Sequence, residues 1–132
     1  MSTPTNTQIA TALFSQLSAA SLGYPIAWSG TDFTPPASGI WLEPMFIPNT
    51  GIDNGLSAAD TTIPQGIFQV GVFDRPGRGV LAVNRAADDV KAAFLKNATI
   101  TGLVRVHRHP WSFEIQPDAD RLSVIVTIPY TG

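Results

Sequence analysis

Between Gly66 and Phe94 the hydrophobic pattern changes period once, from two to between three and four, and that change dictates a strand leading into a helix. The run Gly66-Ile67-Phe68-Gln69-Val70-Gly71-Val72-Phe73 sets Phe68, Val70 and Val72 on one face and Ile67, Gln69, Gly71 and Phe73 on the other. Both faces carry apolar residues, so the strand is expected to be at least half buried on each side. After the turn residues Asp74-Arg75-Pro76-Gly77-Arg78-Gly79, a helix is predicted from about Val80 to Lys96. There Val80, Val83, Ala87, Val90 and Phe94 form one stripe, with Arg85, Asp88, Asp89 and Lys91 mainly off it.

The remaining elements are read in the same way. A first helix is predicted from about Thr5 to Ala20, capped either by Thr3 ahead of Pro4 or by a Thr5–Gln8 capping box. Ile9, Leu13, Leu17 and Ala20 share a face, with Ala10 and Phe14 beside it, while the opposite face holds uncharged polar residues. Gly23 to Trp28 and Phe33 to Pro36 read as an extended connection, because proline biases the residue before it away from the helix. A strand follows from about Gly39 to Ile47, and Pro44 within it argues for an edge position or a bulge. The stretch Pro48 to Gln65 has two readings, a long loop or an extended hairpin arm. Three strands close the chain, Leu103 to His109, Trp111 to Gln116 and Arg121 to Tyr130, the last two joined at Pro117-Asp118-Ala119-Asp120. The expected fold is α+β in one domain over 1–132: an antiparallel or mixed sheet of about five strands with two helices on one face.

Composition narrows the classes. With 44% hydrophobic and 14% charged residues, 132 residues suffice for one core. The absence of cysteine excludes disulfides, thiolate nucleophiles and cysteine-based zinc sites, and fits synthesis in a reducing cytoplasm. The first eight residues lack a basic region followed by an apolar run, and no segment approaches the roughly 18 apolar residues of a spanning helix. A chain that is neither secreted nor membrane-embedded is expected. Through Asp74 there are five acids and no Lys or Arg, whereas Arg75 to Gly132 holds eight bases and five acids, giving −5 and then +3. Such bipolarity suits head-to-tail pairing when folding keeps the halves apart, and disappears when folding mixes them.

Candidate chemistry is sparse. His107 and His109 alternate on the predicted strand and so share a face, which in principle brings two imidazoles to one metal or ligand. A zinc site needs a third ligand, and none stands at ligand spacing; the plainer reading is a polar strand face at a surface or subunit contact. Arg75-Pro76-Gly77-Arg78-Gly79 precedes a helix whose N-terminus suits an anion, yet neither the phosphate-loop nor the dinucleotide glycine pattern occurs. A tight turn kept soluble by arginine is the plainer reading, and a basic loop near DNA or an acidic partner lies between the two. No Gly-x-Ser-x-Gly elbow is present, and the scattered carboxylates form no motif. Trp28, Trp41 and Trp111 sit in apolar, strand-like settings suited to core or interface anchors.

Taken in order, several segments resemble the tail terminator, or tail completion, proteins of long-tailed bacteriophages, including a related phage family of unknown function. They are the first helix ending near Leu17, Pro25-Ile26-Ala27-Trp28, Phe33-Thr34-Pro35-Pro36, Trp41-Leu42-Glu43-Pro44, Gly66 to Val72, Pro76-Gly77-x-Gly79 with its helix and Phe94, and Ser123 to Tyr130. The resemblance implies a structural virion protein at the neck end of the tail, not an enzyme and without a cofactor. It implies a hexameric ring that caps the tail tube, ends its polymerisation and joins the head-side connector or stopper, with viral DNA passing through the pore without specific binding. Partners would be copies of the chain, the tube protein and the connector, with no membrane.

A closed ring needs two different complementary patches on each subunit. Ile52, Asp53, Leu56, Asp60 and Ile63 are expected at a subunit or tube interface. Arg75, Arg78, Arg105 and Arg108 are expected to face the lumen or pair between subunits. Other readings are a stopper, a tube subunit, or a small enzyme or ligand module centred on His107 and His109.

Overall fold

In a computed structural model, described for residues 5–20, 22–28, 33–34, 39–53, 62–75, 81–95, 99–100, 102, 104–115 and 122–132, two helices cover one face of a curled six-stranded sheet. In chain order these are α1 (Asn6–Ala19), β1 (Trp41–Asp53), β2 (Thr62–Asp74), α2 (Leu81–Ala93), β3 (Thr99–Ile100), β4 (Val104–Val106), β5 (Trp111–Ile115) and β6 (Leu122–Thr131). The sheet runs β1-β2-β6-β4-β3, β5 also pairs with β6, and every strand pair is antiparallel. The α+β expectation therefore holds. The two-residue β3 was not foreseen, because so short a strand has no readable period.

Thr5 starts α1 through a capping box: its hydroxyl accepts the Gln8 amide at 3.2 Å and its own amide donates to Gln8 Oε1 at 2.8 Å. The alternative cap at Thr3-Pro4 lies outside the described residues. Ile9, Ala12, Leu13 and Leu17 are buried along α1, and Val83, Ala86, Ala87 and Val90 along α2. Both sets follow helical spacing, so each helix turns one stripe inward. Phe68 on β2 joins the layers, with ring centroids 5.6 Å from both Phe14 of α1 and Phe94 beyond α2. Gln16 ties the helices together by donating to the Ala93 carbonyl at 3.0 Å.

Register sorts the side chains by face. Leu42, Val72 and Val124 stand on one rung, Pro44, Val70 and Val126 on the next, and Phe46, Phe68 and Ile128 on a third. These rungs face the helices. Two glycines let rings lie across the sheet: a Cβ on Gly66 would sit 2.5 Å from the Ile47 carbonyl oxygen and 2.7 Å from the Tyr130 hydroxyl, and one on Gly71 would sit 2.6 Å from the Phe73 ring. Tyr130 passes over Gly66 to stack on Phe46 at 5.6 Å, and Phe73 stacks on Trp41 at 5.7 Å.

β1 and β2 are longer than the alternation suggested, since Asn49 pairs Gln65, Ile52 pairs Ile63 and Asp53 pairs Thr62 with a register shift between. β6 ends opposite Gln65, so the last of these pairs run beyond the third strand. The segment expected as loop or arm is thus a projecting two-stranded ribbon at residues 49–53 and 62–65, while 54–61 lie outside the described residues.

The predicted strand Leu103 to His109 is corrected to Val104–Val106. Val106 pairs Tyr130 and Trp111 pairs Thr127, so five steps on this side match three on β6, and His107 to Pro110 loop out. Pro110 has no N–H to give to a ladder, which accounts for a break there.

Candidate functional site

The sheet face away from the helices is a broad, partly apolar surface. It carries Trp41, Glu43, Met45 and Ile47 from β1, Ile67, Gln69 and Phe73 from β2, Ile125, Thr127 and Pro129 from β6, and Trp111 and Phe113 from β5, all on rungs alternating with those of the core. Met45 is 55% exposed, Trp111 46% and Phe113 47%. Met45 shares a rung with Trp111, with Gln69 and Thr127 between them, so the exposed apolar side chains stand at the two sides of this face. Near its middle, Gln69 Nε2 reaches Thr127 Oγ1 at 3.4 Å across the strands.

At one end of this face a pocket of about 450 Å³ opens where the His107–Pro110 loop meets the base of the ribbon. Ile47, Ile67, Pro129 and Trp111 form apolar walls, Asn49 and Gln65 add amides, and His107 and Arg108 close one side. No acid lines it. Burial pushes the His107 imidazole below its ordinary value, and the positive charges of Arg108 and Arg105 add to the shift. Its Nδ1 is shut off from water without a hydrogen-bond partner, so a proton there would gain no acceptor and the ring is neutral at pH 7. The expectation that His107 and His109 share a strand face is overturned, because both lie in the loop between β4 and β5.

The opposite end is organised around Trp41. Its indole donates to Glu43 Oε2 at 3.0 Å, stacks on Phe73, and carries the Arg75 guanidinium 5.1 Å from the ring centroid. The Arg75 amide donates to the buried Asp74 carboxylate at 2.8 Å. Arg105 pairs Thr131 and Asp74 pairs Leu122, so nearly the whole length of β6, about 30 Å at strand rise, separates Arg75 from Arg105 and Arg108. The arginines expected as one group therefore occupy two ends of the sheet. Arg105 and Arg108 are exposed, and Arg78 lies outside the described residues.

Of the expected interface residues, Ile52, Asp53 and Ile63 take their places in the ribbon by backbone pairing, while Leu56 and Asp60 lie outside the described residues. Sequence reasoning missed the open-face group of Met45, Trp111 and Phe113. Alternation marked Trp111 and Phe113 as one face of a half-buried strand, but only the register against β6 shows that this face is the one the helices leave uncovered.

This fold has counterparts. A family model for the phage tail terminator protein matches residues 8–130. The chain belongs to the phage tail terminator family. Membership gives it a structural role in the phage tail, as a component of the virion that assembles with other tail parts. A solved structure bearing no functional name is similar at 27% identity and a TM-score of 0.75, over 93% of this chain and 92% of that one. A chain from the virion of a native gene transfer agent particle shares the fold at 16% identity, with a TM-score of 0.54 over 92% and 93% of the two chains. No curated protein matches in sequence. For a tail terminator, an open apolar sheet face and a projecting ribbon are surfaces that assembly can use.

Proposed function

We propose that this chain caps the completed tail tube as a hexameric ring, ends tube polymerisation and forms the joint to the head-side connector at the neck. The observation that carries this reading is the family match over residues 8–130. The uncovered sheet face with Met45, Trp111 and Phe113 supports it, because a cap must cover tube surface that another tube ring would otherwise cover. The ribbon of β1 and β2 supports it as well, since it reaches past the sheet with Ile52, Asp53 and Ile63. One subunit patch must meet a different patch on the next for the ring to close. Viral DNA passes through without specific binding, in keeping with a formal net charge of −2.

The role is non-enzymatic and needs no cofactor. A catalytic histidine requires a second group that orients its ring, and His107 Nδ1 has no hydrogen-bond partner. A stopper or a tube subunit is the second reading, favoured by the same open face, and differs in whether the protein polymerises.

Mixing the purified chain with tube protein and imaging by negative stain, with masses from light scattering, tests the proposal. Rings at tube tips and tubes of arrested length are the expected result. Unlimited co-polymers would favour a tube subunit, and a chain that ignores tubes would overturn the capping role.

A further inference from the structure

The pocket beside the His107–Pro110 loop is built by the register of β6. Leu42 turns its backbone groups away from β2, because its amide donates to the Pro25 carbonyl and its carbonyl accepts from the Ala27 amide. Val72 opposite it therefore bonds to β6, Val124 bonds back to β2, and by alternation Pro129 turns its backbone towards β4. The residue that would continue β4 opposite Pro129 is His107, since Val106 stands opposite Tyr130. Pro129 has no N–H to give the His107 carbonyl, so the ladder stops there and the chain leaves the sheet until Trp111 rejoins β6 at Thr127. The loop becomes a wall, and the strands beside it remain as a floor.

Floor and wall differ in chemistry. Ile47, Ile67 and Pro129 share one rung of the floor, and Asn49 and Gln65 share the next rung on the same face. Trp111, opposite Thr127, closes the inner side and is still open to water. On the wall, Arg108 is exposed and makes no hydrogen bond or ion pair among the described residues. Arg105 places a second positive charge near enough to depress the His107 imidazole. With His107 Nδ1 shut off from any acceptor, the neutral ring carries its proton on Nε2 and keeps a donor there. All the charge at this apolar floor is positive, because none of the lining residues is acidic.

We propose that this pocket binds the carboxyl-terminal residue of a partner polypeptide, its apolar side chain on the Ile47–Ile67–Pro129 floor against Trp111 and its carboxylate on Arg108. A volume of about 450 Å³ is at the small end of ligand-sized pockets, which suits a chain end rather than a helix or a strand. A chain end joins a negative charge to an apolar group within one residue, the pairing that this floor and wall complement. The guanidinium takes the carboxylate through two parallel N–H donors. An internal acidic side chain would bring the charge without the apolar body. A tail component works among other proteins, so a polypeptide is the source of the carboxylate. The inference rests on family membership and on this pocket, and not on the capping role.

N-acetylphenylalanine is a minimal chain end, and N-acetylphenylalaninamide differs from it in lacking the charge. Each is titrated into the isotope-labelled full chain and followed by NMR. N-acetylphenylalanine should give saturable shifts at the Ile67, His107 and Arg108 amides and the Trp111 indole, with the millimolar Kd usual for so small a ligand. The amide should bind about tenfold more weakly. Arg108→Gln should lower the carboxylate to the level of the amide, whereas Arg85→Gln, on α2 across the sheet, should leave its affinity unchanged. Phenylacetate, which lacks the peptide group that meets Asn49 and Gln65, should bind more weakly than N-acetylphenylalanine. Equal affinity for carboxylate and amide, full affinity in Arg108→Gln, or no saturation by roughly 20 mM would overturn the site. Shifts centred on Phe14 and Trp28 would overturn it as well, and phenylacetate binding as tightly as N-acetylphenylalanine would overturn the polypeptide as its occupant. None of these outcomes bears on capping, which is read at tube tips.

Discussion

Gly66 holds the ribbon end of the sheet together because nothing larger fits. Its missing Cβ leaves room for the Tyr130 phenol on one side and the Ile47 carbonyl on the other, and a backbone oxygen cannot rotate away. Gly66→Ala should therefore destabilise the fold by about 1–3 kcal/mol, read as a lower urea midpoint. Adding Tyr130→Phe should not rescue it, since the carbonyl contact at 2.5 Å remains. Tyr130→Phe alone should be close to neutral at pH 7, because the hydroxyl is buried without a hydrogen-bond partner.

Two of the displaced titrations, those of Tyr130 and His107, give opposite pH limbs. Burial pushes the Tyr130 phenol up to about 12. The unfolded chain then ionises this group first, and stability falls as pH rises from about 10 towards 12. Denaturation midpoints between pH 9 and 11 should show that fall in wild type and a weaker one in Tyr130→Phe. His107 is displaced the other way, below 6.5, so the unfolded chain takes up its proton first and stability falls as pH drops below that value. His107→Gln should flatten this acid limb.

Among the elements, the helices were the most legible, since both were expected within a few residues of their observed ends. Their spacing is an internal property, and the Thr5–Gln8 capping box lies within four consecutive residues. Thr5→Ala should cost about 1 kcal/mol, measurable by thermal melting. The edge position read from Pro44 also holds, because a proline survives in a strand only where its absent N–H faces away from a neighbour. Replacing Pro44 and Pro48 with Ala should restore two outward donors and raise aggregation in light scattering. What local reading missed was the break at His107–Pro110. A run of alternating residues looks like one strand until its partner's register counts two surplus residues.

On the scale of the whole molecule, one face of the sheet is the core and the other is left uncovered by the helices. Met45 packs little within the chain and is 55% exposed, so Met45→Glu should leave thermal stability nearly unchanged. The same substitution should abolish arrest of tube growth in the mixing experiment if this face meets the tube. β2 from the acidic half of the sequence lies beside β6 from the basic half, and Tyr24 Oη donates to Asp89 at 3.2 Å across that divide.

The sequence by itself determined the α+β class, the inward stripes of both helices, the edge character of β1 and, through its ordered short segments, the likeness to tail terminators. Those features rest on interactions within a few residues, or on the absence of a backbone donor, and so they are written locally. Only the tertiary structure decided which sheet face stays open, that Trp111 and Phe113 stand on it with Met45, and that Arg75 lies far from Arg105 and Arg108. Each of these depends on cross-strand register, which is set by pairing residues tens of positions apart and leaves no mark in the local period of either strand.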